Sequence, residues 1–251
     1  MKLTVVSFNI RYCDDPNGHS IPERAPRLGK AVLPIDADLI GFQEYTPAWA
    51  DHIDRIFGEK YEIFNKYRSE KSPESAPILW KKDKFELLKT GYFWLSDTPE
   101  VESKGWDEVC HCHRICEYVT LRDVTDGKVF TYMNTHYGFG DNGHIKSARL
   151  IYDYSKRIGD APTVLTGDFN MYPNSLGYGE IVKYFTDVNA ATAKSTVATF
   201  HNYDPEKNTT AHIDYCFVNE KVKPLSWKLI DNSYEGKYPS DHFGIKMTLE
   251  I

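Results

Sequence analysis

The 251-residue sequence predicts a mixed α/β fold, two β-sheets with helices on the outside. Three observations carry that expectation. Strand-like segments outnumber helix-like ones. Some neighbouring strands follow one another closely, as hairpins do, whereas others are separated by an amphipathic helix. No uninterrupted apolar run exceeds four residues, reached at Tyr92–Leu95 and Tyr215–Val218, far below the roughly 20 that a membrane-spanning helix needs. A length prior of about 150 residues per domain allows one or two domains. A two-sheet fold of this size commonly forms one, so residues 1–251 are expected to be a single domain.

Taken in order, Leu3–Phe8 reads as a buried strand rich in β-branched residues. Residues from about Ala25 to Leu33 are helix-like. Asp36-Ala37-Asp38 breaks that pattern before a short strand, Leu39–Gln43. Pro47 suits the first turn of a second helix that runs to about Phe57. Strand-like stretches follow at Tyr61–Phe64, Ile78–Lys81, Phe85–Leu95, Ile115–Leu121 and Lys128–Asn134. His144–Ile158 is amphipathic, with Ile145, Ala148, Ile151, Tyr152 and Ile158 on one side and Gly159 as its stop. Thr163–Thr166 is a strand. Ser175–Tyr184 is a helix, with Asn174 as its expected N-cap. His212–Val218, Leu225–Ile230 and Phe243–Leu249 close the chain as strands. The polar loops Lys66–Ala76 and Asn202–Thr210 are expected to be mobile.

Hydrophobic residues make up 41% and charged residues 26%, an ordinary globular composition. Thirty Lys and Arg against 36 Asp and Glu leave a net charge of −6. That disfavours broad, counterion-releasing contact with long nucleic acid, but leaves local phosphate chemistry open. No amphipathic basic helix points to a membrane surface, so no stable membrane association is expected, and no obligate protein partner is either. The N-terminal apolar stretch is too short for a secretory signal, which points to the cytoplasm. Five cysteines, an odd number, suit reduced thiols better than a disulfide framework.

The chemistry-bearing residues cluster where strands begin or end. Asn9, Glu44, His136, Asp168 and Asn170 close strands, whereas Asp214, Asp241 and His242 stand at strand starts. Gathered at one rim, these carboxylates would repel unless a cation or proton separated them. A set rich in oxygen donors and free of cysteine suits a hard divalent ion, Mg²⁺ or Mn²⁺.

The segments Ser7-Phe8-Asn9-Ile10, Gln43-Glu44, Asn134-Thr135-His136, Gly167-Asp168-Phe169-Asn170, Ile213-Asp214-Tyr215 and Ser240-Asp241-His242 occur in one order across nearly the whole chain. In that order they resemble the endonuclease/exonuclease/phosphatase superfamily. The resemblance implies a DNase I-like four-layer α/β sandwich, two packed mixed β-sheets flanked by helices. It implies a divalent-metal-dependent phosphoesterase in which water attacks phosphorus in line. Glu44, with Asn9 beside it, resembles the metal-binding position, and Asp241 a second metal-site carboxylate. Asp168 resembles the residue that orients or deprotonates water, and Asn170 a donor to the transition state. Asp214 and His242 resemble an Asp–His pair, His136 a second phosphate-contacting histidine, and Arg114 a phosphate-binding arginine. The implied partner is a phosphate ester, whether small molecule, nucleotide, lipid head group or nucleic acid. A nuclease acting on DNA or RNA ends is the alternative enzyme, and a non-catalytic phosphate-binding module the alternative from another class. One departure is that Arg11 stands where apurinic-endonuclease-like members often carry an acidic residue. The pattern of Gly91–Ser96, Thr98-Pro99 and Gly105-Trp106-Asp107 resembles small bacterial family members.

Singly, these residues have plainer readings. Glu44 could be a solvated strand end, His136 a structural histidine and Asp241-His242 a surface pair; it is their joint order that favours a site. The segment Cys110-His111-Cys112-His113-Arg114-Ile115-Cys116 has the density of a zinc site, but its Cys-x-Cys-x3-Cys spacing lacks a second knuckle. Read as a strand, it puts Cys110, Cys112, Arg114 and Cys116 on one face and His111, His113 and Ile115 on the other. Free thiols are therefore expected.

Overall fold

The computed structural model describes residues 1–251. The chain runs β1 (Lys2–Asn9), α1 (Ile21–Val32), a 3₁₀ turn (Leu33–Ile35), β2 (Leu39–Gln43), α2 (Pro47–Phe57), β3 (Tyr61–Phe64), β4 (Ile78–Lys81) and β5 (Phe85–Trp94). It continues through β6 (Ile115–Asp123), β7 (Val129–His136), α3 (Asp141–Ile158), β8 (Thr163–Asp168), α4 (Leu176–Ile181), β9 (Thr186–Asp187) and α5 (Val188–Ala191). It ends with β10 (Asp214–Val218), β11 (Lys223–Ile230) and β12 (Gly244–Glu250).

Two six-stranded sheets form, ordered β11-β12-β1-β2-β4-β3 and β5-β6-β7-β8-β10-β9. Each has one parallel pair at its centre, β1 with β2 and β7 with β8, and antiparallel pairs outside it. The two sheets therefore repeat one pattern, with α1 and α3 as the matching crossovers. Leu3, Val5, Leu39, Phe130, Val164 and Val218 pack between the sheets. Val6, Phe8, Phe42 and Trp49 pack the first sheet against α1 and α2, and Met133, Ala148, Ile151 and Phe217 pack the second against α3. The expected four layers follow.

Strand alternation explains where the chemistry falls. Successive side chains point to opposite faces, so Leu3, Val5, Ser7 and Asn9 share the face of β1 toward the other sheet. Phe130, Tyr132, Asn134 and His136 do the same on β7, Val164, Thr166 and Asp168 on β8, and Val218, Cys216 and Asp214 on β10. Every row turns from apolar to polar toward the same end of the sandwich.

Just inside that end lies a buried polar network. Asn134 Nδ2 donates to Phe42 O (2.7 Å) and Ala76 O (3.1 Å). Asn134 Oδ1 accepts from Gln43 Nε2 (2.8 Å) and Thr166 Oγ1 (2.9 Å). Gly41 makes the approach possible, since a Cβ there would lie 2.6 Å from Asn134 Oδ1 and Tyr132 Oη.

Several boundaries differ from expectation. Helix α1 starts earlier, at a Ser20–Glu23 capping box. Ser175, not Asn174, caps α4, its Oγ accepting from Tyr178 N at 3.2 Å. That helix ends at Ile181, and β9 and α5, unforeseen, follow it. Cys110 and Cys112 lie in the loop before β6, so strand alternation does not govern them, while Cys116 is buried in β6. All five cysteines are unpaired. No helix is long and apolar enough to cross a membrane.

The Lys66–Ala76 segment, expected to be mobile, is pinned. The fully buried Glu117 carboxylate of β6 accepts from Lys66 N (3.0 Å) and Ala76 N (3.1 Å), closing both ends of the loop. Arg68 Nη1 pairs with Glu74 inside it at 2.6 Å, and Trp94 Nε1 donates to Arg68 O at 2.9 Å.

Two outcomes follow from these buried groups. Asn134→Ala strands donors and acceptors on both sheets and is expected to cost about 3 kcal/mol in chemical denaturation, since each orphaned buried group costs about 1–3 kcal/mol. Glu117→Ala releases both ends of the loop, so limited trypsin digestion is expected to cut at Lys66, Arg68 or Lys71 in the folded variant at protease doses that spare the wild type.

Candidate active site

The polar ends of the inner rows meet at one rim, joined by contacts that cross between sheets. Asn9 Nδ2 donates to Asp168 Oδ2 (2.9 Å) and to Glu44 Oε1 (3.0 Å). Glu44 Oε2 accepts from Tyr12 N (2.8 Å), and Asn9 Oδ1 from Arg11 N (3.0 Å). Arg11, Glu44 and Asn170 all have left-handed backbone, with φ of 62°, 62° and 48°. Residues with side chains rarely adopt that region without compensation from their surroundings. The turn bearing Arg11 is held by buried Arg24, whose guanidinium donates to the carbonyls of Ile10, Arg11, Cys13 and His19.

Asp214 and His242 form the expected pair, Nδ1 to Oδ2 at 2.9 Å, with His242 Nε2 3.7 Å from Asp168 Oδ2. A second pair was not foreseen. His136 Nδ1 lies 3.4 Å from Glu74 Oε1, and its Nε2 lies 3.1 Å from Asn170 Nδ2 and 3.5 Å from Asp168 Oδ2. The two pairs run in opposite senses: one carboxylate comes from the second sheet and its imidazole from the first, while the other reverses this. Asn170 is held by Asp168 Oδ1, which accepts its backbone N–H at 3.0 Å, and by Tyr137 O, which accepts from its amide at 3.0 Å.

The charges sort these groups. Burial alone would lift the Glu74 carboxyl, but His136 and the Arg68 and Arg114 guanidiniums bring it down to about 2. Burial likewise opposes ionisation of Asp168, yet His136, His242 and the N–H donors hold it below the usual range. Glu44 is raised, chiefly by burial, with the Glu74 and Asp241 charges adding to the rise and the His136 and His242 imidazoles opposing it. His242 is pulled down by burial but pushed well above its ordinary value by Asp214, then Asp168 and Asp241. It stands as an imidazolium.

Asp241 lies 3.6 Å from Arg11 Nε, and Arg11 also forks onto Asp15 at 2.9 and 3.1 Å. Arg114 sits 3.5 Å from both Glu74 and Asp107. Glu44, His136 and Asp168 offer ligand atoms within 4.8 Å of one another, as do Asp168, Asp214 and His242. The first group, with the Asn9 amide at its edge, has the hard donors and excess negative charge that a divalent ion requires. All the expected residues thus stand at or beside one rim, with Arg114 and Asp241 already engaged by charged neighbours.

The endonuclease/exonuclease/phosphatase family model matches residues 6–242. The chain belongs to that family. A family member from Bacteroides thetaiotaomicron superposes with a TM-score of 0.91 at 29% identity, covering 99% of this chain and 97% of the other. A mannosyl-6-phosphatase from the same organism gives 0.88 at 29% identity, covering 99% of this chain and 100% of the other. Danio rerio TDP2 complexed with a single-strand DNA product gives 0.78 at 18% identity, covering 100% and 99%, and shows the shared fold. No curated protein sequence matches the chain. Like other family members, this is a phosphoesterase-type hydrolase domain with the DNase I-like two-sheet fold.

Glu74 and Arg68 escaped the sequence reading because their loop reads as a polar linker. The one available signal was their density of charge beside Ser and Pro, which a surface loop shares.

The Asp214–His242 pair sets a pH dependence. A raised imidazole pKa keeps the cation present below its ordinary value near 6.5 and up to the raised folded value, above which it is lost. Asp214→Asn removes the carboxylate charge, so the folded pKa of His242 falls. The alkaline limb of the kcat–pH profile is expected to move to lower pH, with kcat reduced about 10²-fold or more. A pH–rate series on wild type and variant checks both.

Proposed function

We propose that the protein is a Mg²⁺-dependent phosphoesterase (Mn²⁺ substituting) that hydrolyses a small phosphate ester by in-line attack of water. The observation carrying this reading is the convergence of Glu44, Asn9, Asp168, Asn170 and two carboxylate–imidazole pairs within one buried rim. Glu44, with Asn9 and Asp168 alongside, would hold the ion. When bound, the ion draws charge from a phosphoryl oxygen and the leaving group.

The chain's own residues do the rest. Asp168, kept ionised by its cationic neighbours, orients the water and takes its proton. Asn170 Nδ2 donates to the equatorial oxygens as charge builds on them. The His242 imidazolium, held by Asp214, binds a phosphoryl oxygen through Nε2 by a charge-assisted bond. His136, oriented by Glu74, supplies a proton toward the departing oxygen. Arg114 adds positive charge at the same edge. Arg11 gives Asp241 a fixed cation, which supports one ion centred on Glu44.

The net charge of −6 and the 29% identical mannosyl-6-phosphatase favour a small substrate over long nucleic acid.

A Mg²⁺ titration of aryl phosphate and bis-aryl phosphate hydrolysis, with and without EDTA, tests the reaction class. Activity is expected with Mg²⁺ and is expected to vanish in EDTA. Glu44→Ala should weaken the Mg²⁺ dependence and lower turnover by about 10²-fold or more, as ion stabilisation is worth several kcal/mol. EDTA-resistant hydrolysis, or a normal Mg²⁺ titration in Glu44→Ala, would reject this assignment.

A further inference from the structure

Cys110 and Cys112 stand in the loop that leads into β6. Between them His111 has left-handed backbone, with φ of 51°. A residue with a side chain rarely takes that conformation without compensation from its surroundings. Cys112 turns back toward Cys110, its Sγ lying 3.6 Å from Cys110 O. The two Sγ atoms and one carboxylate oxygen of Asp107 come within 4.8 Å of one another. A strand would have spread these residues along its length; the loop gathers them.

Asp107 is fixed in this position from two sides. It is 3% exposed. It packs so closely on the loop after β7 that a Cβ at Gly138 would lie 2.6 Å from its own Cβ. Its Oδ1 accepts from Val109 N (3.1 Å) and Cys110 N (2.8 Å), which fastens the carboxylate to the turn that bears the thiols. Its Oδ2 is buried and accepts no hydrogen bond. Arg114 Nε stands 3.5 Å from that oxygen, and the same guanidinium lies 3.5 Å from Glu74. A buried carboxylate oxygen without a donor is costly, and a bound cation removes the cost.

The donors define the cation. Two sulfurs and one oxygen are a poor match for Mg²⁺, which takes oxygen, and a good one for a thiophilic divalent ion. Tetrahedral zinc accepts Cys and Asp together, with donor atoms about 3.6–3.8 Å apart by its bond lengths. Cys110 is exposed and Cys112 half-buried, so both thiols have room to close that spacing. Charge balances as well. Two thiolates and a carboxylate carry three negative charges, of which zinc neutralises two and Arg114 the third. Cys116, buried in β6, lies outside the set.

We propose that Asp107, Cys110 and Cys112 form a zinc site, separate from the rim, that ties the loop before β6 to the buried carboxylate beside Arg114. Each thiol gives its proton to solvent as it binds, and the fourth position is left to water.

The test titrates the reduced full-length protein with Co²⁺ under a phosphine reductant. The readout is the near-ultraviolet sulfur-to-cobalt charge-transfer band, which the oxygen and nitrogen donors of the rim do not produce. The band is expected to appear in wild type and to bleach when Zn²⁺ displaces Co²⁺. Cys110→Ser/Cys112→Ser is expected to lose it, and Glu44→Ala to keep it. Cys110→Ser alone changes an exposed side chain and is expected to weaken it, with the far-ultraviolet circular dichroism of the wild type. Asp107→Asn keeps an acceptor for the loop N–H groups and is expected to need about 10–100-fold more Co²⁺, the range for lost support of a bound metal. No band in the reduced wild type, a band that survives in the double variant, or an unchanged titration in Asp107→Asn would overturn the site. Loss of the band in Glu44→Ala would overturn its separation from the rim.

Discussion

The buried amide of Asn134 holds the two sheets at one spacing and one offset. Its carboxamide spans both, bonding to backbone and Gln43 on the first sheet and to Thr166 on the second. Apolar contacts deeper in the sandwich resist separation but are tolerant of sliding, since dispersion has little direction. A carboxamide with five partners in fixed positions tolerates neither. Gly41 is part of the same constraint, because any side chain there would push the amide away.

On that fixed frame, the site is assembled from pairs with one member on each side. Asn9 reaches Asp168, His242 reaches Asp214, and Glu74 reaches His136. The opposite sense of the two imidazole pairs follows from the repeated strand pattern of the sheets. Each sheet supplies one carboxylate and one imidazole, Glu74 and His242 from the first and Asp214 and His136 from the second. Arg11 moves the charge balance at Asp241 toward neutrality without drawing on an ion.

Much of this was legible in the sequence because period-two alternation and chain order are local signals. Asn9, Asp168 and Asp214 were found because each sits at the polar limit of a strand. The Asp214–His242 contact could be anticipated because both residues stand at strand starts. What was missed depends on partners distant in sequence. Glu74 becomes a site residue only because Glu117, far along the chain, pins the loop that carries it. Thr186–Asp187 and Val188–Ala191 are too short to show a period. The strand reading of the cysteine segment failed because its residues before Ile115 bond as a loop, where alternation has no meaning.

The crossing pairs have a mechanical consequence. One residue of slip along a strand is a displacement of about 3.3 Å, and a third of that is enough to pull the 2.9 Å Asn9–Asp168 bond out of range. The core between the sheets would still be dry at such a displacement. Turnover therefore works as a vernier on the sandwich, registering a fraction of a residue's misalignment between the sheets while every bulk measure of folding still reads native.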